Sequence, residues 1–348
     1  MERRQRPMSP HDLPVHEPTP ESTAQVSTGT MPGPETVVEL ITQAHRSYAD
    51  VTDGSVADYI PALAVASPDL FGIAAVGVNG RTAGVGDSEH AFTIQSVAKP
   101  FQFALVCEAL GHREVRERIG VNATGLPFDS VMAVEIASDG LTNPMVNAGA
   151  IATTSLAPGR TAELKWRFLR DGLSRLAGRE LEVDEEALAS ERATNGRNEA
   201  MARLLEGHGR MYFDPDETTD VYTRQGALLV TASTLALMGA TLADGGVNPI
   251  TQRRVVSEDT CRRTLALMLT AGLYELSGDW LYEVGLPAKS GVSGGIITVA
   301  PGKGGLATFA PPLDAAGNSV RGQLATKMLS RGLGLDLLAS SPVAESTD

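Results

Sequence analysis

The sequence predicts an α+β fold in which strands from both ends of the chain form one antiparallel sheet around a large, all-helical insertion. Three observations carry this expectation. Apolar runs of strand length lie near the start, at 71–78, and near the end, at 295–300 and 305–310. Between about 96 and 272 nearly every periodic segment repeats at helical spacing. The chain also has 348 residues, more than one small core accommodates.

From Thr36 to about Tyr48, the residues Val37, Val38, Leu40, Ile41 and Ala44 fall on one helical face. Phe71–Val78 ends at Asn79-Gly80, two residues that tolerate the positive φ angles of a tight hairpin, and a second strand-like run follows. Helices are predicted over 162–177, 184–206, 230–243 and 258–270. Strand-like runs return at Gly295–Ala300 and Gly305–Ala310, and a closing helix is expected around 320–334. Residues 1–34 hold seven prolines, no aromatic and only Leu13, Val15 and Val26 as large aliphatics, which predicts a disordered tail. A second flexible tail is expected over 337–348. The expected division is a sheet subdomain from 35–95 and 273–336, with a mainly helical subdomain from 96–272.

Aspartate and glutamate outnumber lysine and arginine by 42 to 29, a net charge of −13, so nucleic acid and anionic membrane are poor partners. No apolar run follows the basic start at Arg3, Arg4 and Arg6, and no later stretch has membrane-spanning length. Only Cys107 and Cys261 are present, which excludes a disulfide framework and favours a cytoplasmic location. The six histidines show no ligand spacing, so no metal or cofactor is expected.

Chemistry enters at Phe92-Thr93-Ile94-Gln95-Ser96-Val97-Ala98-Lys99-Pro100-Phe101. Ser96 and Lys99 lie three apart, so on a helix starting near Ser96 they share a face, and the amine is placed to take the hydroxyl proton. A helix cap beside a solvated lysine is the bland alternative. Against it, the chain has only five lysines, and Lys99 sits among Ile94, Val97, Ala98 and Phe101, where a surface lysine is unusual. A desolvated lysine loses pKa and becomes a base. A second motif, Ala288-Lys289-Ser290-Gly291-Val292-Ser293-Gly294-Gly295, is rich in glycine, but Ala288 stands where a phosphate loop needs glycine.

In this order the two motifs resemble the Ser-x-x-Lys nucleophile and Lys-Ser/Thr-Gly edge strand of serine β-lactamases and penicillin-binding proteins. The residues between them narrow the resemblance. Asn143–Ile151, Ser190-Glu191 followed by Arg197-Asn198, Val56–Pro61 and Leu242–Pro249 resemble the corresponding stretches of serine-dependent glutaminases, from about 36 to 335. That family has a β-lactamase-like fold, which agrees with the pattern of elements, and the resemblance implies an amidohydrolase converting L-glutamine to L-glutamate and ammonia. It implies that Ser96 is the nucleophile forming a γ-glutamyl ester, that Lys99 activates it, and that Tyr274 relays protons beside it. Val292 matches a position whose backbone N–H joins that of Ser96 in an oxyanion hole. Glu191 matches the residue meeting the α-ammonium. Tyr59, Asn147, Asn198 and Tyr222 match positions that hydrogen-bond the carboxylate and amide. Two departures are visible: Ser293 stands where many relatives carry glycine or alanine, and Gly226 where many carry cysteine. A homodimer or homotetramer is implied. The alternatives are a non-catalytic amino-acid sensor and, from the same fold, a β-lactamase-like hydrolase.

Overall fold

The computed structural model describes residues 32–137 and 139–339. Most of the expected N-terminal tail and of the expected C-terminal tail lies outside the described residues. The strands are β1 (Gly72–Gly77), β2 (Thr82–Gly86), β3 (Phe92–Thr93), β4 (Leu229–Val230), β5 (Ala288–Ser290), β6 (Gly295–Ala300) and β7 (Gly304–Phe309). Five of them form one sheet in the order β2-β1-β7-β6-β5, every neighbour antiparallel. The seam between the two ends of the chain is β1 against β7, with Gly72 opposite Phe309 and Gly77 opposite Gly304. Residues 71–78 therefore pair with the C-terminal strands, as the expected sheet requires.

Apart from the edge strand β2, the sheet buries both faces, and the pleat sorts its side chains between them. Ile73 and Ile296 face the helices Pro34–Tyr48 and Val320–Gly332, where Val37, Ile41 and Leu329 complete a core. Ala74, Val76, Ile297, Val299 and Ala307 face the opposite way, into a larger core shared with Leu235, Ala236 and Ala240 of helix Ala232–Ala243. Glycine permits that close approach. A Cβ on Gly239 would lie 2.6 Å from the Ile297 side chain, and one on Gly305 would lie 2.1 Å from the Ala236 carbonyl oxygen.

Two details differ from the periodicity. The predicted helix over 184–206 is two helices, Glu185–Ala193 and Gly196–Gly207, broken at Thr194 and Asn195. The first starts on an Asp184 cap, and the break coincides with residues whose short polar side chains compete for backbone hydrogen bonds. The predicted helix over 230–243 starts at Ala232, because Val230 belongs to β4 and Thr231 caps the helix by accepting from the Thr234 N–H. β4 pairs with β3 in a separate two-stranded ribbon, Phe92 opposite Val230. That ribbon delivers the chain into the Ser96 turn. Among the described residues, no helix is long and apolar enough to cross a membrane.

Candidate active site

Ser96 sits on a single 3₁₀ turn, Gln95–Val97, between β3 and helix Ala98–Leu110. The turn is tightly held. Ile94 N–H donates to the Leu228 carbonyl at 2.7 Å, and Gln95 adopts φ +49°, a conformation costly to any residue with a Cβ. The end of β5 presses on it, since a Cβ on Gly291 would lie 3.0 Å from Val97 Cγ2 and 3.2 Å from the Ile94 carbonyl oxygen. Ser293 Oγ and Thr93 Oγ1, 2.7 Å apart, bind the same two segments. The serine at the departing position thus ties the glycine-rich turn to the nucleophile ribbon.

Helix Ala98–Leu110 is buried from Ala98 to Cys107, so Lys99 in its first turn has no route to solvent along the helix surface. Its Nζ lies 2.7 Å from Ser96 Oγ and 2.8 Å from Asn147 Oδ1, which it approaches as a donor. Burial lowers its pKa to about 7, against the opposing pull of the Asp129 carboxylate. The amine is therefore available as a base near neutrality.

Asn147 opens helix Asn147–Leu156 and is almost fully enclosed. Its Oδ1 also accepts from the Tyr222 hydroxyl at 3.2 Å, while its Nδ2 donates to Asn198 Oδ1 at 3.1 Å. Opposite stands Glu191, on helix Glu185–Ala193, accepting from Gln95 Nε2 at 2.5 Å. Burial raises its carboxyl to about 7; the Gln95 hydrogen bond works against that rise, and the Asp184 charge adds to it. An arriving cation would restore the charged form.

Tyr59, Ser96, Lys99, Asn147, Glu191, Asn198, Tyr222 and Val292 line one cleft. Tyr59 is the most exposed of them, at 54%. Tyr274 lies behind that wall, with its backbone at φ +58° and its ring 4.7 Å from that of Phe128. Its hydroxyl donates to the Ser290 carbonyl at 3.2 Å, and burial raises its pKa to about 12 although hydrogen bonds with Ser96 and Ser290 oppose this. All the sequence-predicted site residues therefore converge, eight on the cleft and Tyr274 beneath it.

Two further groups belong to this constellation and were not assigned to it from sequence. Gln95 holds Glu191, and its only signal was adjacency to Ser96. Lys289, fully buried on β5, places Nζ 3.9 Å from the Tyr274 ring centroid and donates to the Ser290 carbonyl at 2.7 Å. Burial, and secondarily the charge on Lys99, hold its amine well below the ordinary lysine range. Its signal was the Lys-Ser-Gly motif itself. Gly226 also lines the cleft, where a Cβ would lie 3.6 Å from Glu191 Oε2. Among the described residues, no group of three or more His, Cys, Asp or Glu side chains is placed to hold a metal ion.

Comparison with known proteins identifies the family. A family model described as Glutaminase matches residues 54–338. The chain is 57% identical over 334 residues to a protein named Glutaminase 2 from Yersinia pestis, covering 96% of this chain and 98% of that one. It is 50% identical over 286 residues to a glutaminase from Brucella canis, covering 82% and 90%. Among solved structures, a probable glutaminase, YbaS, superposes with a TM-score of 0.87 at 42% identity, covering 89% of this chain and 100% of that one. A covalent complex of the Bacillus subtilis glutaminase YbgJ with 5-oxo-L-norleucine superposes with a TM-score of 0.77 at 32% identity, covering 87% and 99%. A family model over residues 54–338 and 57% identity over 96% of the chain, in a protein whose serine and lysine lie 2.7 Å apart in a cleft with a half-buried carboxylate, place the chain in the glutaminase family.

Proposed function

We propose that this protein hydrolyses L-glutamine to L-glutamate and ammonia through a γ-glutamyl ester on Ser96. The observation that carries the mechanism is the contact between Ser96 Oγ and the depressed amine of Lys99. Neutral Lys99 takes the hydroxyl proton as Oγ attacks the side-chain amide carbon. The developing oxyanion lies between the backbone N–H groups of Ser96 and Val292, the latter on the glycine-rich turn that presses on the Ser96 turn. Collapse breaks the C–N bond, and the proton held by Lys99 passes to the departing nitrogen, with the Tyr274 hydroxyl as its relay. A water then attacks the ester and gives its proton to Lys99; as the ester C–O bond breaks, Lys99 returns that proton to Ser96 Oγ, releasing glutamate and restoring both groups.

The two ends of free glutamine explain the rest of the cleft. Glu191 faces the α-ammonium, and Asn147, Asn198, Tyr222 and Tyr59 supply neutral hydrogen-bonding groups to the α-carboxylate and amide. The division into a sheet subdomain (35–95 with 273–336) and a helical subdomain (96–272) is part of the same reading. Tyr59, Tyr274 and Val292 come from the first, while Ser96, Lys99, Asn147, Glu191, Asn198 and Tyr222 come from the second. Assembly as a homodimer or homotetramer rests on the family resemblance, and a cytoplasmic location on the two buried free thiols, Cys107 and Cys261.

Purified protein given L-glutamine, with no added metal or nucleotide, is expected to release ammonia and L-glutamate in equal amounts. No release from correctly folded protein would overturn the proposal.

A further inference from the structure

We propose that Asn195 is a positioning residue that fixes how Asn198 is presented in the cleft. The inference rests on the reading of Asn147 and Asn198 as partners of the substrate α-carboxylate. Asn195 does not line the cleft itself, and three observations connect it to the chemistry.

First, a chain of side chains runs from helix Pro215–Gly226 to the base. Asn195 Nδ2 donates to Thr223 Oγ1 at 2.7 Å, and Asn198 Nδ2 donates to Asn195 Oδ1 at 2.8 Å. Asn147 Nδ2 then donates to Asn198 Oδ1 at 3.1 Å, and Lys99 Nζ donates to Asn147 Oδ1 at 2.8 Å.

Second, both ends of this chain fix its direction. Thr223 commits its one hydroxyl proton to the Thr219 carbonyl at 2.8 Å, so it can only accept from Asn195. At the other end, Asn147 Oδ1 accepts from both Lys99 and the Tyr222 hydroxyl. Each of the three amides therefore turns its oxygen towards the Lys99 end and its nitrogen towards the Thr223 end, and none can flip without setting two N–H groups, or two oxygens, against each other. Each amide nitrogen spends one N–H in the chain. Asn147 and Asn198 therefore each retain a second N–H, and two donors facing one cleft suit a carboxylate, which only accepts.

Third, Asn195 occupies the position that begins helix Gly196–Gly207, where an asparagine side chain ordinarily caps the first turn. Here it makes no cap hydrogen bond. The side chain is diverted from its usual local role to the network, while its backbone carbonyl accepts from the Asn198 and Glu199 N–H groups.

Asn195→Ala and Asn195→Ser test the inference, the second supplying a helix-capping hydroxyl too short to serve the network in the same way. Both are expected to raise KM for L-glutamine roughly three- to tenfold, the scale of one lost neutral hydrogen bond, with kcat changed less than about twofold. The melting temperature of Asn195→Ser should match that of the parent. In an Asn198→Ala background, Asn195→Ala should raise KM no further, because the residue acts only through Asn198. An unchanged KM in the single Asn195 variants, or effects that simply add in the double variant, would overturn the positioning role. If Asn198→Ala alone left KM unchanged, the carboxylate assignment on which the inference rests would be what fails.

Discussion

Two buried lysines, Lys99 and Lys165, show how similar burial leads to different chemistry. Each lies in the first turn of its helix and is almost wholly enclosed, and in each burial lowers the pKa of the amine. Lys165 Nζ donates to the carbonyls of Ser155 and Ala157, at 2.9 and 2.5 Å, and lies 4.7 Å from the centroid of the Phe213 ring. Two carbonyls and an aromatic face can only receive a cation's protons and field, so they favour the charged amine as a cap for the C-terminal end of helix Asn147–Leu156. Lys99 also lies over an aromatic ring, that of Tyr222, but more distantly at 5.8 Å, and its polar partners are one amide oxygen and one hydroxyl. The hydroxyl can give its proton away, which makes the neutral amine useful. The partner's chemistry, more than the depth of burial, separates a catalytic lysine from a structural one.

The sharpest break in this comparison is to remove each amine while keeping its volume. Lys99→Met should lower kcat at least about a thousandfold with the fold retained, read by ammonia release and circular dichroism. Glu191→Gln removes the charge but not the shape, and kcat/KM for L-glutamine should fall at least about tenfold. An N-acylated glutamine, lacking the ammonium, should lose far less on the same change; equal losses would show that Glu191 supports the fold instead.

The pH profile sharpens the contrast further. The active forms are neutral Lys99 and ionised Glu191, each with a free-protein pKa of about 7, so both gain population as pH rises through neutrality. On the acid side, log kcat/KM should therefore climb with a slope approaching about 2, and Glu191→Gln should reduce that slope to about 1. The smallest catalytic effect is expected at Lys165. Lys165→Met should leave kcat within about twofold but lower Tm by roughly 3–8 °C, because two buried carbonyls lose their donors.

Much of the fold is legible in the sequence because burial imposes a period. The hairpin after Phe71, the strands at 295–310 and helix 162–177 each carry a local pattern that tertiary packing reinforces. Ser96 and Lys99 are legible because they combine a chemical spacing with an apolar setting unusual for lysine. The remaining site residues came from resemblance, since an isolated Asn147 or Glu191 has no pattern of its own. What stayed hidden is non-local. The two-residue strands β3 and β4 are too short to show a period, and they pair across more than a hundred residues. The φ of +49° at Gln95 is imposed by the surroundings, as nothing in a glutamine favours it. Lys289 over the Tyr274 ring depends on β5 lying beside a turn that precedes it by some fifteen residues. The break at Thr194 and Asn195 was obscured because the apolar periods on either side are nearly in phase.

The central claim is that Ser96 performs the covalent step while other residues hold the substrate. Its most direct test is to compare Ser96→Ala with the parent protein, measuring ammonia release from L-glutamine and L-glutamate binding on the same preparations. The account predicts a loss of turnover of at least about a thousandfold with the glutamate dissociation constant changed less than about threefold. Substantial turnover by Ser96→Ala would contradict it.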